Sequence, residues 1–305
     1  MTRVAAIDCG TNSVRLLVAD VTADGLAEIE RRMEIVRLGE GVDRTGRLSP
    51  AALERTFAAM RGYAKLIAQH GAEAVRVVAT SATRDAANRA DFERGVREIF
   101  GVAPEVVTGA EEAALSFAGA TRDLPGHPAP FLVVDIGGGS TEFVVGPSPW
   151  GALSVDIGCV RLTERHLKDA DPPSGEAVAA VAADIDRALD RVEAEVPVGA
   201  ARTLVGLAGS VTTVAGIALG LSEYDPARIH HSRIPAGDVH EVTQRLLSMT
   251  HEERAALGVM HPGRVDVIGA GALILDRIVA RYGFAEVAVS EHDILDGIAW
   301  SLVGL

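Results

Sequence analysis

Residues 131–146 bring together two kinds of group that act on phosphates, namely carboxylates and closely spaced main-chain N–H groups. An apolar run from Phe131 to Val134 is typical of a strand buried on both faces, and it ends at the carboxylate of Asp135. Glycines follow, and they let N–H groups approach an anion without a Cβ in the way. Glu142 then opens a second apolar run. The candidate phosphate-binding residues of the intervening turn are Gly137, Gly138, Gly139 and Ser140.

The same unit occurs a second time near the N-terminus. A shift of 127 positions aligns Asp8 with Asp135 and Gly10 with Gly137, and apolar residues match on both sides of the two turns. A repeated strand, Asp-x-Gly turn and strand predicts two homologous halves. The candidate phosphate-binding residues of the first copy are Gly10, Thr11, Asn12 and Ser13.

Carboxylates at two strand ends, beside exposed N–H groups, predict a metal-assisted phosphate site. If the halves face each other, both acidic turns lie in one cleft and suit a hydrated Mg²⁺, or Mn²⁺, that carries a phosphate chain. The histidines do not predict a zinc site. His230 and His231 are expected in a strand, where neighbouring side chains point to opposite faces, and no zinc-ligand spacing occurs.

Three further turns carry candidate groups. One leads from a predicted strand to Arg84, a pattern that fits an ordinary surface arginine as well as a phosphate contact. Another presents Glu111 and Glu112 in a first helical turn, where either could compensate the helix dipole or act as base on a water. Arg161, near a helix start, is a weaker anion candidate. The last turn feeds a predicted helix N-terminus and contributes Gly209 and Ser210.

Composition narrows the class of protein. A chain of 305 residues with 48% hydrophobic residues is expected to form two domains, and no apolar run is long enough to span a membrane. The N-terminus runs directly into a strand without the pattern of a signal peptide, and there are only two cysteines, so we expect a cytoplasmic protein. The net charge of −13 disfavours broad nucleic-acid binding, so a polyanionic ligand would need a metal and local arginines.

The periodicity predicts an α/β chain. The first three strands form an antiparallel start, unlike a dinucleotide-binding fold, and the turn at 10–13 lacks the lysine of a P-loop. Ser49 and Pro50 predict the start of a helix that ends near Gly71. Helices are also predicted over 174–195 and 262–282, and residues 122–130 form the best linker. We predict domains at 1–124 and 125–292, with a helix at 293–305 returning to the first domain.

Six blocks of the sequence resemble the exopolyphosphatase/guanosine pentaphosphate phosphatase (Ppx/GppA) family, in the superfamily of actin, sugar kinases and heat-shock ATPases. They occur in the family's order, and the Gly-x-Glu-Glu-Ala block distinguishes this family from the kinases. The blocks are AIDCGTNSVRLLVAD at 6–20, TSATRDAAN at 80–88, VVTGAEEA at 106–113, VVDIGGGSTEF at 134–143, DIGCVRLTE at 156–164 and VSEHDILDGI at 289–298.

The resemblance implies a fold and roles for residues. It implies two ribonuclease-H-like domains with the active site in the cleft between them. Glu112 would orient or deprotonate the attacking water, and Arg84 would neutralise a phosphate. Asp135 would hold Mg²⁺, with Asp8 and Glu142 as supporting carboxylates. The expected activity is Mg²⁺-dependent hydrolysis of the terminal phosphoanhydride of polyphosphate.

Several alternatives remain open at this point. The substrate could be guanosine pentaphosphate (pppGpp), which offers the same terminal anhydride as polyphosphate. The protein could also be an alarmone binder, which would bind pppGpp without turnover. A third alternative is a kinase-like phosphotransferase, which would need an acceptor. The sequence ends after the two halves, without the helical domain of the longer family members, so short polyphosphate chains are the expected substrate. A homodimer is expected from the family alone.

Overall fold

A computed structural model describes residues 2–22, 25–122, 124, 126–147 and 150–303. The fold divides into two compact units, Met1–Gly119 with Asp293–Leu305 (unit 1) and Ala120–His292 (unit 2). The predicted boundary at 124/125 lies next to this division. Four residues that these predictions include lie outside the described residues. They are Asp123 and Pro125 of the predicted linker, with Pro125 also at the predicted boundary, and residues 304–305 of the predicted C-terminal helix.

Unit 1 is built on a five-stranded sheet of order β3-β2-β1-β4-β5. The first three strands are antiparallel, and β4 and β5 continue the sheet parallel to β1. The strands are β1 (Thr2–Cys9), β2 (Ser13–Thr22), β3 (Gly25–Ile35), β4 (Ala74–Ala79) and β5 (Glu105–Val106).

Unit 2 repeats this plan in a six-stranded sheet. Its order, β10-β11-β9-β6-β7-β8, again places an antiparallel trio beside parallel strands, with one extra antiparallel strand at the edge. The prediction of two homologous α/β halves is therefore confirmed. The strands are β6 (Phe131–Ile136), β7 (Thr141–Gly146), β8 (Gly151–Val155), β9 (Thr203–Leu207), β10 (Arg233–Pro235) and β11 (Glu286–Val289).

Helices connect and cover the strands, and short π- and 3₁₀-helical segments lie at Thr163–Leu167, Val198–Ala200 and Pro262–Arg264. The α-helices are α1 (Val42–Thr45), α2 (Pro50–His70), α3 (Ser81–Asp85), α4 (Arg89–Phe100), α5 (Gly109–Thr121), α6 (Cys159–Leu162), α7 (Gly175–Glu195), α8 (Ala208–Ala218), α9 (Pro226–Ile229), α10 (Ala236–Ser248), α11 (His251–Ala255), α12 (Ile268–Tyr282) and α13 (Ile294–Ser301). Among the described residues, every helix is too short or too polar to span a lipid bilayer.

Capping explains where the best-predicted helices begin and end. The Ser49 hydroxyl accepts a hydrogen bond from Ala52 N–H at the start of α2, and Gly71 ends the helix in the left-handed conformation, as predicted. Ser174 caps α7 in the same way. The helix predicted over 262–282 is wrong at its start, because a 3₁₀ turn occupies Pro262–Arg264 and α12 begins only at Ile268.

The two faces of the unit 1 sheet pack against different helices. Ala5 and Ile7 point towards the core that contains Met60 and Tyr63 of α2, whereas Val4 and Ala6 point towards α13. This alternation is the ordinary period of a strand with both faces buried. Asp8 continues the second series, so its side chain lies on the α13 face. The large core of unit 2 lies on one face of its sheet, which carries Leu132 and Val134 of β6 and Leu204 of β9.

Candidate active site

Three turns of unit 1 meet at the carboxyl ends of its parallel strands. They follow β1, β4 and β5, and ligands of open α/β sheets usually bind at this edge. The Thr11 hydroxyl lies 2.8 Å from the Ser81 hydroxyl, which joins the first turn to α3. Arg84 of α3 contacts Glu112 of α5. The structure therefore brings these predicted residues of unit 1 into one connected group.

The turn at residues 10–13 is fixed by backbone hydrogen bonds. Gly10 N–H donates to the Ser13 carbonyl at 3.0 Å and closes the turn. The carbonyls of Thr11 and Asn12 accept hydrogen bonds from Gly39 N–H and Val36 N–H at 2.8 and 3.0 Å. The segment after β3 therefore supports this turn from outside.

Arg84 and Glu112 form a partly buried ion pair. Arg84 Nη1 donates to Glu112 Oε2 at 3.0 Å and to the Val107 carbonyl at 3.1 Å. The Glu112 side chain is 10% exposed and the Arg84 side chain 25%. Among the described residues, nothing accepts a hydrogen bond from Arg84 Nε or Nη2. Arg84 can thus hold Glu112 and still offer two donor atoms to an anion.

The two neighbouring glutamates of α5 have different environments. Glu111 accepts hydrogen bonds from Thr108 N–H and from the Thr108 hydroxyl, each at 2.8 Å, while its own N–H donates to that hydroxyl. This reciprocal pair is a capping box, and the hydrogen bonds from Thr108 lower the pKa of Glu111. Glu112 instead turns inward to Arg84. Of the two, only Glu112 turns inward, and its role as the base stays a prediction.

Asp8 is buried against an arginine that the sequence analysis did not identify. Arg15 lies opposite Asp8 in the β1–β2 pairing, and its Nε and Nη2 donate to Asp8 Oδ2 at 2.9 and 2.7 Å. Asp8 Oδ1 is buried without a hydrogen-bond partner among the described residues. Burial raises the pKa of Asp8, and the positive charge of Arg15 opposes that rise. Asp8 is therefore a half-satisfied carboxylate in a charge-compensated site.

The cross-strand partner of Asp135 is a carboxylate, whereas the cross-strand partner of Asp8 is an arginine. Asp135 lies opposite Glu142 in the β6–β7 pairing, and directly opposed residues of an antiparallel pair project to the same face of the sheet. Glu142 Oε1 accepts a hydrogen bond from the Ser154 hydroxyl at 2.7 Å. Both acidic residues are buried, at 7% and 2% exposure. Two buried like charges side by side favour a bound cation.

The turn at residues 137–140 directs N–H groups away from its supporting helix. Gly137 N–H donates to the Ser140 carbonyl at 3.0 Å, as in the first turn. The carbonyls of residues 137–139 accept from Cys159 N–H, Val160 N–H and Arg161 Nε. In a trans peptide the next N–H points opposite to the carbonyl. The N–H groups of residues 138–140, which donate to no described residue, therefore face the other side, where an anion could bind.

Glycine is required where this turn meets α6. A Cβ on Gly158 would lie 2.4 Å from the Gly138 carbonyl carbon, so any side chain there would displace the turn. Arg161, predicted as a weak anion contact, donates from Nε to the Gly139 carbonyl at 2.7 Å and holds the turn in place.

The third predicted phosphate turn, at the start of α8, lies against a further arginine. A Cβ on Gly209 would be 2.3 Å from Cζ of Arg264, so the guanidinium rests on this glycine. A Cβ on Gly271 of α12 would be 2.2 Å from Oγ of Ser210. Arg264 thus adds positive charge to the Gly209–Ser210 turn. This contact could not be read from the sequence, because Arg264 lies more than fifty residues along the chain in a 3₁₀ turn.

The carboxylates of these turns fit a hard, oxygen-preferring cation such as Mg²⁺. The orphaned Asp8 Oδ1 in unit 1 and the Asp135–Glu142 pair in unit 2 are suitable oxygen donors. Within the described part of the chain, no group of three or more His, Cys, Asp or Glu side chains is placed to hold a metal. One or two protein carboxylates with water are the usual magnesium ligands, so a site of this kind is compatible with that result.

The reason given for excluding the histidines is wrong, because His230 and His231 do not lie in a strand. They fall in the turn between α9 and β10, and their rings stack with centroids 3.7 Å apart. His292 packs on His230 with centroids 4.5 Å apart.

Cys9 and Cys159 are free thiols, and burial raises the pKa of both, so both remain protonated at neutral pH.

The fold and the site together indicate the class of protein. The chain is a duplicated α/β protein in which each unit carries a glycine-containing turn and an aspartate at a strand end. A family model for the Ppx/GppA phosphatase family matches residues 17–304. The chain belongs to the Ppx/GppA phosphatase family, and its two units have the predicted α/β fold.

Individual relatives match along the whole chain. Exopolyphosphatase 2 of Mycobacterium tuberculosis is 52% identical over 319 aligned residues, which cover 100% of this chain and 99% of the relative. A guanosine-5′-triphosphate,3′-diphosphate pyrophosphatase of Aeromonas salmonicida is 28% identical over 98% of this chain and 59% of its own length. The crystal structure of an exopolyphosphatase-like protein superimposes with a TM-score of 0.95 at 43% identity, covering 99% of this chain and 98% of that one.

Proposed function

We propose that this protein is an exopolyphosphatase that hydrolyses the terminal phosphoanhydride of inorganic polyphosphate and releases orthophosphate. The family and the full-length similarity to Exopolyphosphatase 2 support this substrate class. The observation that carries the proposal is the Glu112–Arg84 pair of unit 1. It places an inward-turned carboxylate beside guanidinium N–H groups that donate to no described residue, on the helix joined to the first phosphate turn.

The proposed reaction is an in-line attack of water on the terminal phosphorus. Glu112 orients the water and accepts its proton, a new P–O bond forms, and the bridging P–O bond breaks. The shortened chain leaves as an anion on the bridging oxygen. In unit 1, Arg84 Nε and Nη2 are proposed to stabilise charge on phosphate oxygens, and in unit 2 the N–H groups of residues 138–140 are proposed as phosphate contacts. Gly10, Thr11, Asn12, Ser13, Gly209 and Ser210 are proposed as further phosphate contacts.

A Mg²⁺ or Mn²⁺ ion is part of the proposal. Asp135 and Glu142 of unit 2 would hold the ion. Asp8 of unit 1, whose charge Arg15 already neutralises, is proposed as a supporting hydrogen-bond acceptor. When bound, the ion would neutralise phosphate charge. The net charge of −13 supports a requirement of this kind, since the protein as a whole repels a polyanion.

A second candidate substrate is guanosine pentaphosphate, since a relative that covers 98% of this chain is named for that activity. One assay separates the candidates: phosphate release from short polyphosphates, long polyphosphate, pppGpp and ATP, with Mg²⁺ and with chelator. We expect Mg²⁺-dependent release from polyphosphate with the highest kcat/KM. A higher kcat/KM on pppGpp would make that the main substrate.

The same assay tests the remaining alternatives. Binding of pppGpp without release from any substrate would indicate an alarmone binder, and ATP consumption only with an acceptor would indicate a phosphotransferase. The comparison of short with long chains tests the expected preference for short ones. A cytoplasmic homodimer is also proposed, and light scattering of the purified protein measures its mass directly.

A further inference from the structure

Arg15 joins two carboxylates that are distant in the sequence and buried in the same unit. Its Nε and Nη2 donate to Asp8 Oδ2 at 2.9 and 2.7 Å, and its Nη1 donates to Asp293 Oδ2. The side chains of Asp8 and Asp293 are each 5% exposed. Since water reaches neither carboxylate freely, both charges depend on the guanidinium.

Asp293 also lies where two helices meet. Its Oδ1 accepts a hydrogen bond from Leu295 N–H at 3.0 Å and caps α13. Its carbonyl oxygen would be 1.9 Å from a Cβ placed on Gly119 of α5, and a Cβ on Gly297 would be 2.0 Å from the Leu115 carbonyl oxygen. The backbones of α5 and α13 are therefore in direct contact, and α5 is the helix that carries Glu112.

This arrangement fixes the direction of the Asp8 carboxylate. Both hydrogen bonds from Arg15 fall on Oδ2, so Oδ1 points away from the guanidinium and has no partner among the described residues. An oriented carboxylate oxygen that is unpartnered among the described residues, beside a phosphate turn, can accept a hydrogen bond from a bound ligand. Its position depends on Arg15, and the position of Arg15 depends on Asp293.

We propose that Arg15 and Asp293 are positioning residues which hold the Asp8 carboxylate in a fixed place relative to the Glu112 helix, α5. This inference rests on the proposed hydrolase function. It assigns to α13 a role beyond covering the sheet, since the helix ties the first phosphate turn to the candidate base. Loss of the clamp formed by Asp8, Arg15 and Asp293 should therefore reduce turnover more than substrate binding.

A second buried ion pair on the same helix provides a matched control. Arg31 of β3 donates from Nη2 to Asp296 Oδ1 at 2.6 Å, and the Asp296 side chain is 3% exposed. The Arg31 side chain donates to Glu28 and Asp296, and Asp296 Oδ2 in turn accepts a hydrogen bond from Asp293 N–H at 3.0 Å, so this pair also supports the start of α13. The two pairs thus share burial and helix but differ in contact with Asp8.

The test compares Arg15→Lys with Arg31→Lys in the full-length protein. A lysine keeps the charge and the fold but cannot donate to Asp8 twice and to Asp293 at once. We expect Arg15→Lys to lower kcat about 10- to 100-fold with KM nearly unchanged, the usual size of an effect on residues that orient a site. Arg31→Lys should leave both constants close to wild type. Asp293→Asn, which keeps a capping oxygen, should reproduce the loss in kcat.

Amide hydrogen exchange provides a readout that does not require turnover. In Arg15→Lys, the amides of residues 109–119 should exchange faster than in wild type, whereas in Arg31→Lys they should not. Equal effects of the two variants on kcat and on exchange would overturn the inference. If the wild type released no phosphate from any substrate, the proposed function would fail, and the exchange comparison would still decide whether the clamp positions α5.

Discussion

The turn at residues 10–13 and the turn at residues 137–140 are closed by the same hydrogen bond, at 3.0 Å in both, but the strands behind them carry different charges. In unit 1 the aspartate lies opposite Arg15, and in unit 2 it lies opposite Glu142. The backbone of the repeat is thus alike in both units, while one cross-strand position reverses its charge. A neutralised carboxylate suits a positioning role, and an acidic pair suits a cation.

The largest difference in kcat is expected between variants of the two aspartates, Asp135 and Asp8. Asp135→Asn should lower kcat about 10²- to 10³-fold, because it removes charge that would hold the metal at the phosphate. Asp8→Asn should lower kcat less, without shifting the Mg²⁺ concentration that gives half-maximal rate. Steady-state phosphate release at varied Mg²⁺ measures both quantities. Equal shifts in the Mg²⁺ midpoint for the two variants would show that the turns are not differentiated in this way.

A smaller effect is expected at the cross-strand partner of Asp135. Glu142→Gln keeps the side-chain shape and an acceptor for the Ser154 hydroxyl but removes one negative charge. We expect the Mg²⁺ midpoint to rise about tenfold, in line with the usual effect of changing residues that support a metal site. The exposed Asp156 of the same unit provides a control, Asp156→Asn, which should leave the midpoint unchanged. An unaltered midpoint in Glu142→Gln would remove Glu142 from the site.

The smallest effect concerns stability and pH in unit 1. Burial opposes ionisation of Asp293, but Arg15 and Leu295 N–H outweigh it, so the pKa lies below the ordinary value of 3.8. The charged form therefore stabilises the fold above pH 3.8, and this contribution is lost as the pH falls through the lowered pKa. Asp293→Asn should lower the free energy of unfolding by about 1.5–3 kcal/mol at neutral pH. In urea titrations the difference should shrink as the pH falls below 3.8, and a constant difference would contradict the assignment.

Local sequence signals predicted much of the fold. The serine cap of α2, the extent of α7 and the repeated Asp-x-Gly turn depend on residues close together in the chain, and all of them occur as predicted. The late start of α12 was missed because a proline is a typical first helical residue, whereas Pro262 begins a separate 3₁₀ turn.

The charge partners of the site could not be predicted in this way. Arg84 and Glu112 are 28 residues apart, and their contact requires β4 and β5 to pair in parallel. Arg15 and Asp293 are 278 residues apart, and nothing local indicates that they meet. The contact of Arg15 with Asp8 follows from the register of β1 with β2, which the sequence could have supplied once the hairpin was accepted.

The central claim is that Glu112 activates the water, and one pair of variants tests it most directly. Glu112→Gln and Glu111→Gln alter adjacent residues of the same helical turn, and only the second changes the capping box. Single-turnover phosphate release from a short polyphosphate should fall by at least about 10²-fold in Glu112→Gln and stay within a few-fold of wild type in Glu111→Gln. A near wild-type rate in Glu112→Gln would contradict the account.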